Sequence, residues 1–253
     1  MTTTLADLTA LGPLEHDDAM ELQRVELDRT VAMLRSLTAE QWNAPVVECP
    51  GWNVRTMYAH VLGACEAGAS FRENARQMRR ALAHRKRNGG PLEAALSAIQ
   101  IVDRQQLDGP EIVRRLAEVA PRTIRARRRL PRWLRNGFRL GVDGPVVEKW
   151  SLGYLTDTIY LRDLWMHRVD ASRAFGGPLE LDAHDARIVA DVAVEWARRH
   201  GATCRLELTG PAGGSFAVGT TPVETLELDA VDFARTLSGR AEGRGLLTTI
   251  VPF

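Results

Sequence analysis

The triplet Gly176-Gly177-Pro178 constrains this chain more than any other stretch, because helical periodicity runs up to it and stops. Upstream, Met20, Leu27, Val31 and Leu34 share one face of an amphipathic helix expected over residues 18–37. Residues 38–42 read as a capping turn, and 45–50 must be irregular, since proline lacks an amide donor and disfavours helix before it. Asn53 then caps a second helix expected to run to about residue 83. Val54, Met57, Val61 and Ala64 form its apolar stripe, with His60 at the edge. Further helices are expected over 91–106, 110–130 and 147–175, separated by Gly89-Gly90 and Gly109-Pro110. The first 176 residues therefore read as a helical bundle.

Beyond the triplet the period changes. A helix over 183–200 precedes short alternating strands at 204–208, 215–218 and 225–228, a short helix capped by Asp229 and ending at Leu237, and a last strand at 246–251. The expected class is α+β, with the bundle over 1–178 and a small α+β domain over 179–253.

A chain of 253 residues can bury cores of this size. Its formal net charge of +1 gives no global reason to expect a nucleic-acid partner, and no reading motif is present. Arginine is locally dense at Arg72, Arg76, Arg79, Arg80, Arg85 and Arg87. It is dense again at Arg125, Arg127, Arg128, Arg129, Arg132 and Arg135, with no acid from 120 to 142. A solvated helix face is the favoured meaning of both runs, although Trp133 and Phe138 beside the second leave room for an anionic ligand or a membrane surface. No apolar run approaches the roughly 18–20 residues of a bilayer span, and residues 1–5 lack signal-peptide character, so a cytoplasmic location is expected. Cys49, Cys65 and Cys204, odd in number and widely spaced, are expected to be reduced thiols.

Asp163 and His167 lie four residues apart in a helical pattern, about one turn, so they share a face. Zinc accepts such a carboxylate and imidazole together, although spacing alone is a weak signal. His60 is the natural third ligand, because it borders the core-facing stripe of a different helix and bundles build metal sites from facing helices. Three protein ligands leave one coordination position open, the arrangement of a catalytic zinc. Asp170, three residues after His167, is placed to orient an imidazole. Trp42, Trp52, Tyr160 and Trp165 read as core at their helical or capping spacing.

Trp42, Pro45, the run Cys49-Pro50-Gly51-Trp52-Asn53-Val54, His60, and the later Asp163-Leu164-Trp165-Met166-His167-Arg168-Val169-Asp170 resemble the mycothiol-dependent maleylpyruvate isomerase family, which belongs to the DinB-like four-helix bundles. Asp229-Ala230-Val231-Asp232-Phe233, Leu237-Ser238-Gly239-Arg240 and the ending Val251-Pro252-Phe253 look like that family's small second domain. The resemblance implies an up-down DinB-like bundle that holds zinc, or another divalent metal, through His60, Asp163 and His167. Family members commonly carry Glu where this chain has the shorter Asp163. The resemblance further implies mycothiol as thiol cosubstrate and a small, anionic electrophile as substrate. It also places Arg240, with Arg235 as the other candidate, near that substrate. The implied chemistry is addition of a thiolate to an electrophilic carbon, with no protein cysteine acting. Expulsion of the thiol after bond rotation gives cis-trans isomerisation, and a lasting adduct gives S-transfer to a drug-like or biosynthetic electrophile. A noncatalytic metal or ligand-binding protein is the third reading.

Overall fold

The period of Met20, Leu27, Val31 and Leu34 produces the helix it predicts, α1 (His16–Arg35), which buries all four. The structure is a computed structural model describing residues 6–8, 10–143, 147–219 and 224–253. A capping box starts the single turn α2 (Ala39–Trp42): Thr38 Oγ1 accepts from the Gln41 amide, and Gln41 Oε1 accepts from the Thr38 amide. Asn53 caps α3 (Val54–Ala69), its Oδ1 accepting from the Thr56 amide and hydroxyl, each at 2.8 Å.

The helix expected to reach residue 83 is two helices. Ser70 leaves helical geometry and caps α4 (Phe71–Asn88), its Oγ accepting from the Glu73 amide at 3.3 Å. Then follow α5 (Leu92–Val102), α6 (Gly109–Arg128) and α7 (Arg132–Gly137).

The helix expected over 147–175 also starts late. Val147–Ser151 forms a strand, β3, antiparallel to β2 (Arg139–Asp143), with Leu140 opposite Trp150. Val147 and Trp150 favour a pleated strand, and the Ser151 hydroxyl accepts from the Tyr154 amide at 2.9 Å, so helix begins only beyond it. A π-helical stretch, Tyr154–Ile159, leads into α8 (Tyr160–Phe175), which Gly176 ends in left-handed geometry at φ 65°. Asp157 anchors the π stretch, since its carboxylate meets His16 Nδ1 at 2.9 Å and accepts from Arg135 Nη1 at 3.0 Å.

Helices α1, α3, α6 and α8 close a ring: α1 and α3 each pack on α6 and α8, while α4 and α5 lie against α3. Met57, Leu62, Ile112, Leu116 and Leu161 are fully buried, and each such side chain contributes about 1.5–3 kcal/mol. Gly63 lets α5 approach α3 closely, because a Cβ there would stand 2.7 Å from Gln100 Cβ and Cγ.

These elements belong to one unit, His16–Gly177; the other comprises the chain up to Glu15 together with Pro178–Phe253. The bundle was expected over 1–178, but β1 (Ala6–Asp7) pairs in parallel with β5 (Gly214–Val218). A two-residue strand has no period to read. The sheet order is β1-β5-β4-β6, with β4 (Cys204–Thr209) antiparallel to β5 and parallel to β6 (Thr225–Asp229). Two helices accompany it, α9 (Ala183–His200) and α10 (Ala230–Leu237), with Trp196 edge-on to Phe233 at 5.4 Å. The strand expected at 246–251 is corrected to a 3-10 turn, Gly245–Thr248, because Gly245 takes φ 57° and the Thr248 hydroxyl donates back to its carbonyl. The architecture is α+β. No helix among the described residues is long and apolar enough to cross a membrane.

Candidate metal centre

Helices α3 and α8 bring His60, Asp163 and His167 together, with one ligand atom of each within 4.8 Å of the other two. Asp163 and His167 occupy successive turns on one face of α8, and His167 Nε2 stands 3.3 Å from Asp163 Oδ1. His60 meets His167 edge to face, ring centroids 5.6 Å apart at 87°. Trp52, expected only as core, packs on His60 at 5.4 Å and so borders the cluster. The Tyr58 hydroxyl donates to the His167 carbonyl at 3.3 Å, fastening α8 to α3 at this level.

The donor set fits a divalent ion. Ligand atoms about 2.0–2.2 Å from a tetrahedral ion stand about 3.3–3.6 Å apart, so the Asp163–His167 edge has a suitable length even with the shorter acid. His60 Nδ1 is buried and makes no hydrogen bond, an orphaned group of the kind that marks an unfilled role. Burial pushes the His60 imidazole down to about 4, against the pull of the Asp163 carboxylate and with the help of His167. A neutral ring is what metal ligation requires. The Asp163 side chain is 34 % exposed, so the cluster opens on its side. Asp170 is fully buried, and its Oδ2 stands 3.9 Å from His167 Nδ1, beyond hydrogen-bond reach for orienting that ring.

Without metal, the His60 ring makes stability depend on pH. Its pKa falls from 6.5 to about 4 on folding, so the unfolded chain binds more protons in that window and stability drops as pH falls through it. The loss reaches about 3 kcal/mol at most. Urea unfolding of metal-free protein at about pH 7 and about pH 4.5 is expected to show this slope, and His60→Gln to flatten it.

Two neighbours carry no sequence signal. Gln100 of α5 is 6 % exposed and donates from Nε2 to Gln77 Oε1 at 3.0 Å. Its amide also raises the His60 pKa as a hydrogen-bonding group, yet Gln100 Oε1 completes no hydrogen bond, so that contact is poorly aligned. Cys65 is buried, and burial pushes its thiol up to about 11, which keeps it protonated and unreactive. Arg240 and Arg235 lie in the other unit, at the end of α10. The Arg240 amide donates to the Arg235 carbonyl at 2.8 Å, and Arg235 pairs with Asp232 at 3.7 Å.

Residues 24–172 match the mycothiol maleylpyruvate isomerase N-terminal domain family. The chain belongs to this family. The span matched to the mycothiol maleylpyruvate isomerase domain contains His60, Asp163 and His167 and stops short of Arg235 and Arg240. Two solved structures are similar over 90% of both chains: the mycothiol-dependent maleylpyruvate isomerase, 15% identical with TM-score 0.54, and a histidine-to-alanine mutant of it, 14% identical with TM-score 0.55. At such identity the likeness is one of fold. Comparison with curated proteins found no match.

Within this family domain the two arginine runs differ from a plain solvated face. Arg76 bridges Glu73 at 2.6 Å and Asp103 at 2.7 Å, and Arg80 also pairs with Asp103. In the second run, Arg125, Arg128, Arg129 and Arg132 are exposed, but Arg127 is turned into the bundle at 4 % exposure. Trp133 is 74 % exposed and Trp165 fully buried.

Proposed function

We propose that this protein is a metal-dependent enzyme that uses mycothiol to attack a small, anionic electrophile, in the manner of a maleylpyruvate isomerase, and works in the cytoplasm. The observation that carries this reading is the convergence of His60, Asp163 and His167 within a domain of that family. These residues would hold the ion, zinc or another divalent metal, with two nitrogens and one oxygen. Zinc bound there supplies a positive charge that favours the deprotonated form of a thiol. His60 is kept neutral by burial and therefore ready to ligate at physiological pH. Asp163 contributes the negative charge and forms the exposed edge through which a cosubstrate enters. Trp52 packs on the His60 ring at the border of the cluster. The free thiols Cys49, Cys65 and Cys204 have no assigned role, and the high pKa of Cys65 removes the one electrostatically coupled to Asp163. Arg240, or else Arg235, is assigned to the substrate's carboxylate by its planar fork.

In the reaction a sulfur–carbon bond forms at an alkene carbon and the π bond becomes a rotatable single bond. Reversal after rotation releases the thiol and the trans isomer, with no net consumption of thiol. Protonation of the carbanion instead keeps the sulfur–carbon bond and amounts to S-transfer. Incubating zinc-loaded protein with mycothiol and maleylpyruvate, followed by mass analysis, is expected to give rearranged product with thiol recovered. Thiol consumption would assign S-transfer, and metal-loaded protein inert across a panel of electrophiles would leave a binding role in place of catalysis.

A further inference from the structure

His60 Nδ1 and Gln100 Oε1 are both buried, and neither completes a hydrogen bond among the described residues. Gly63, three residues after His60 on the same face of α3, gives the Gln100 side chain its place there, since an added Cβ would stand 2.7 Å from Gln100 Cβ and Cγ. Burial dominates the His60 pKa, and against it the Asp163 carboxylate and the Gln100 side chain both act upward. For Gln100 that is the direction of an acceptor facing an imidazole N–H.

Which end of the Gln100 amide meets His60 is dictated from α4. Gln77 is fully buried, and its Nε2 donates to the Gly63 carbonyl at 3.0 Å and to Glu73 Oε1 at 2.8 Å. Both partners can only accept. A backbone carbonyl has no proton to give, and the Arg76 hydrogen bond to Glu73 holds that carboxyl down to about 2, so it is ionised at physiological pH. Gln77 therefore turns its Oε1 toward Gln100, whose Nε2 donates to it at 3.0 Å. Reversing either amide would set oxygen against oxygen. Gln100 Oε1 is left as an acceptor for His60, and the ring must supply the proton. An imidazole that carries its proton on Nδ1 keeps its lone pair on Nε2.

We propose that Gln100, oriented by Gln77, is a positioning residue that holds His60 in its Nδ1–H form and so presents Nε2 to the metal. The choice of ligating atom rests on the proposed metal centre, whereas the tautomer stands without it. In water a free imidazole prefers its proton on Nε2, so the protein has to reverse that preference. A ligating histidine whose other N–H is held in this way keeps its ring orientation, and losing the partner weakens metal binding by about 10–100-fold.

Long-range proton–nitrogen NMR of the metal-free, full-length protein, with isotope-labelled histidine, reads the tautomer near neutral pH from the ring nitrogens. The His60 signals are those lost in His60→Gln. In the wild-type protein His60 is expected to carry its proton on Nδ1. Gln100→Met, which removes the acceptor at similar volume, is expected to return the proton to Nε2 and to weaken zinc by about 10–100-fold in competition with a chromogenic chelator. Gln77→Met touches no ligand but frees the Gln100 amide to turn. It is expected to mix the two tautomers, and it covers the case in which Gln100→Met does not fold. A wild-type His60 protonated on Nε2, the wild-type tautomer kept in either folded variant, or zinc affinity unchanged in Gln100→Met overturns the assignment. His60 held as Nδ1–H by Gln100 in a protein that takes up no zinc would refute the proposed function alone.

Discussion

His167→Ala is expected to abolish stoichiometric zinc binding and, with it, mycothiol-dependent turnover. Structural zinc sites bind with about 10–16 kcal/mol spread over four ligands, so one ligand accounts for about 3–4 kcal/mol, or about 10²–10³-fold in affinity. His167 is the member that touches both others, at 3.3 Å to Asp163 and 5.6 Å between ring centroids to His60. Its removal, like that of His60, takes away one of the three corners and leaves two protein ligands. Both variants should lose zinc as measured by metal analysis after dialysis, and both should keep helical circular dichroism. Asp163→Glu restores the longer acid and is expected to keep the metal. Zinc retained at one equivalent in His167→Ala would show that the ion, if any, is held elsewhere.

The second large effect lies one residue further along α8. Glu26→Ala is expected to destabilise the protein by about 3–5 kcal/mol, because it strips the carboxylate from a buried bidentate pair. Arg168 Nε donates to Glu26 Oε1 at 2.6 Å and Nη2 to Oε2 at 3.2 Å, with Glu26 fully buried and Arg168 at 3 % exposure. The charge left behind on Arg168 cannot reach water without disturbing α1 against α8. For a chain of this size such a loss lowers Tm by roughly 6–20 °C. Glu26→Gln keeps one acceptor and should cost less. Differential scanning calorimetry of the two variants measures the effect. Zinc stoichiometry below the transition is expected to stay at one, which separates fastening of the helix from ligation.

The metal candidates were legible because their spacing is a property of single helices. Four residues between Asp163 and His167 means one face wherever the helix lies, and His60 borders a stripe whose inward side the sequence already fixes. What escaped reading depends on partners distant in the chain. Ser70 interrupts the helical pattern without a proline, two residues after a Gly68 that still lies inside α3, and only its dihedrals and cap reveal two helices. Residues 147–151 became a strand because β2 lies beside them, a pairing that helical period cannot express. Gln100 reaches the neighbourhood of His60 across a helix contact that Gly63 permits. Arg127 did leave a trace. It continues the buried positions Leu116, Ala120, Thr123 and Ile124 of α6, yet within six arginines the charge masked the phase.

As proposed, His60, Asp163 and His167 hold one divalent ion with a position open to an exogenous thiol. Titration of metal-free protein with cobalt(II), followed by mycothiol, reads both halves by optical absorption. The expected result is uptake of one equivalent with the ligand-field spectrum of a low-coordinate site, then a new sulfur-to-cobalt charge-transfer band on adding mycothiol, and neither signal in His167→Ala. Absence of cobalt uptake by the wild-type protein, or a cobalt spectrum indifferent to mycothiol, would contradict it.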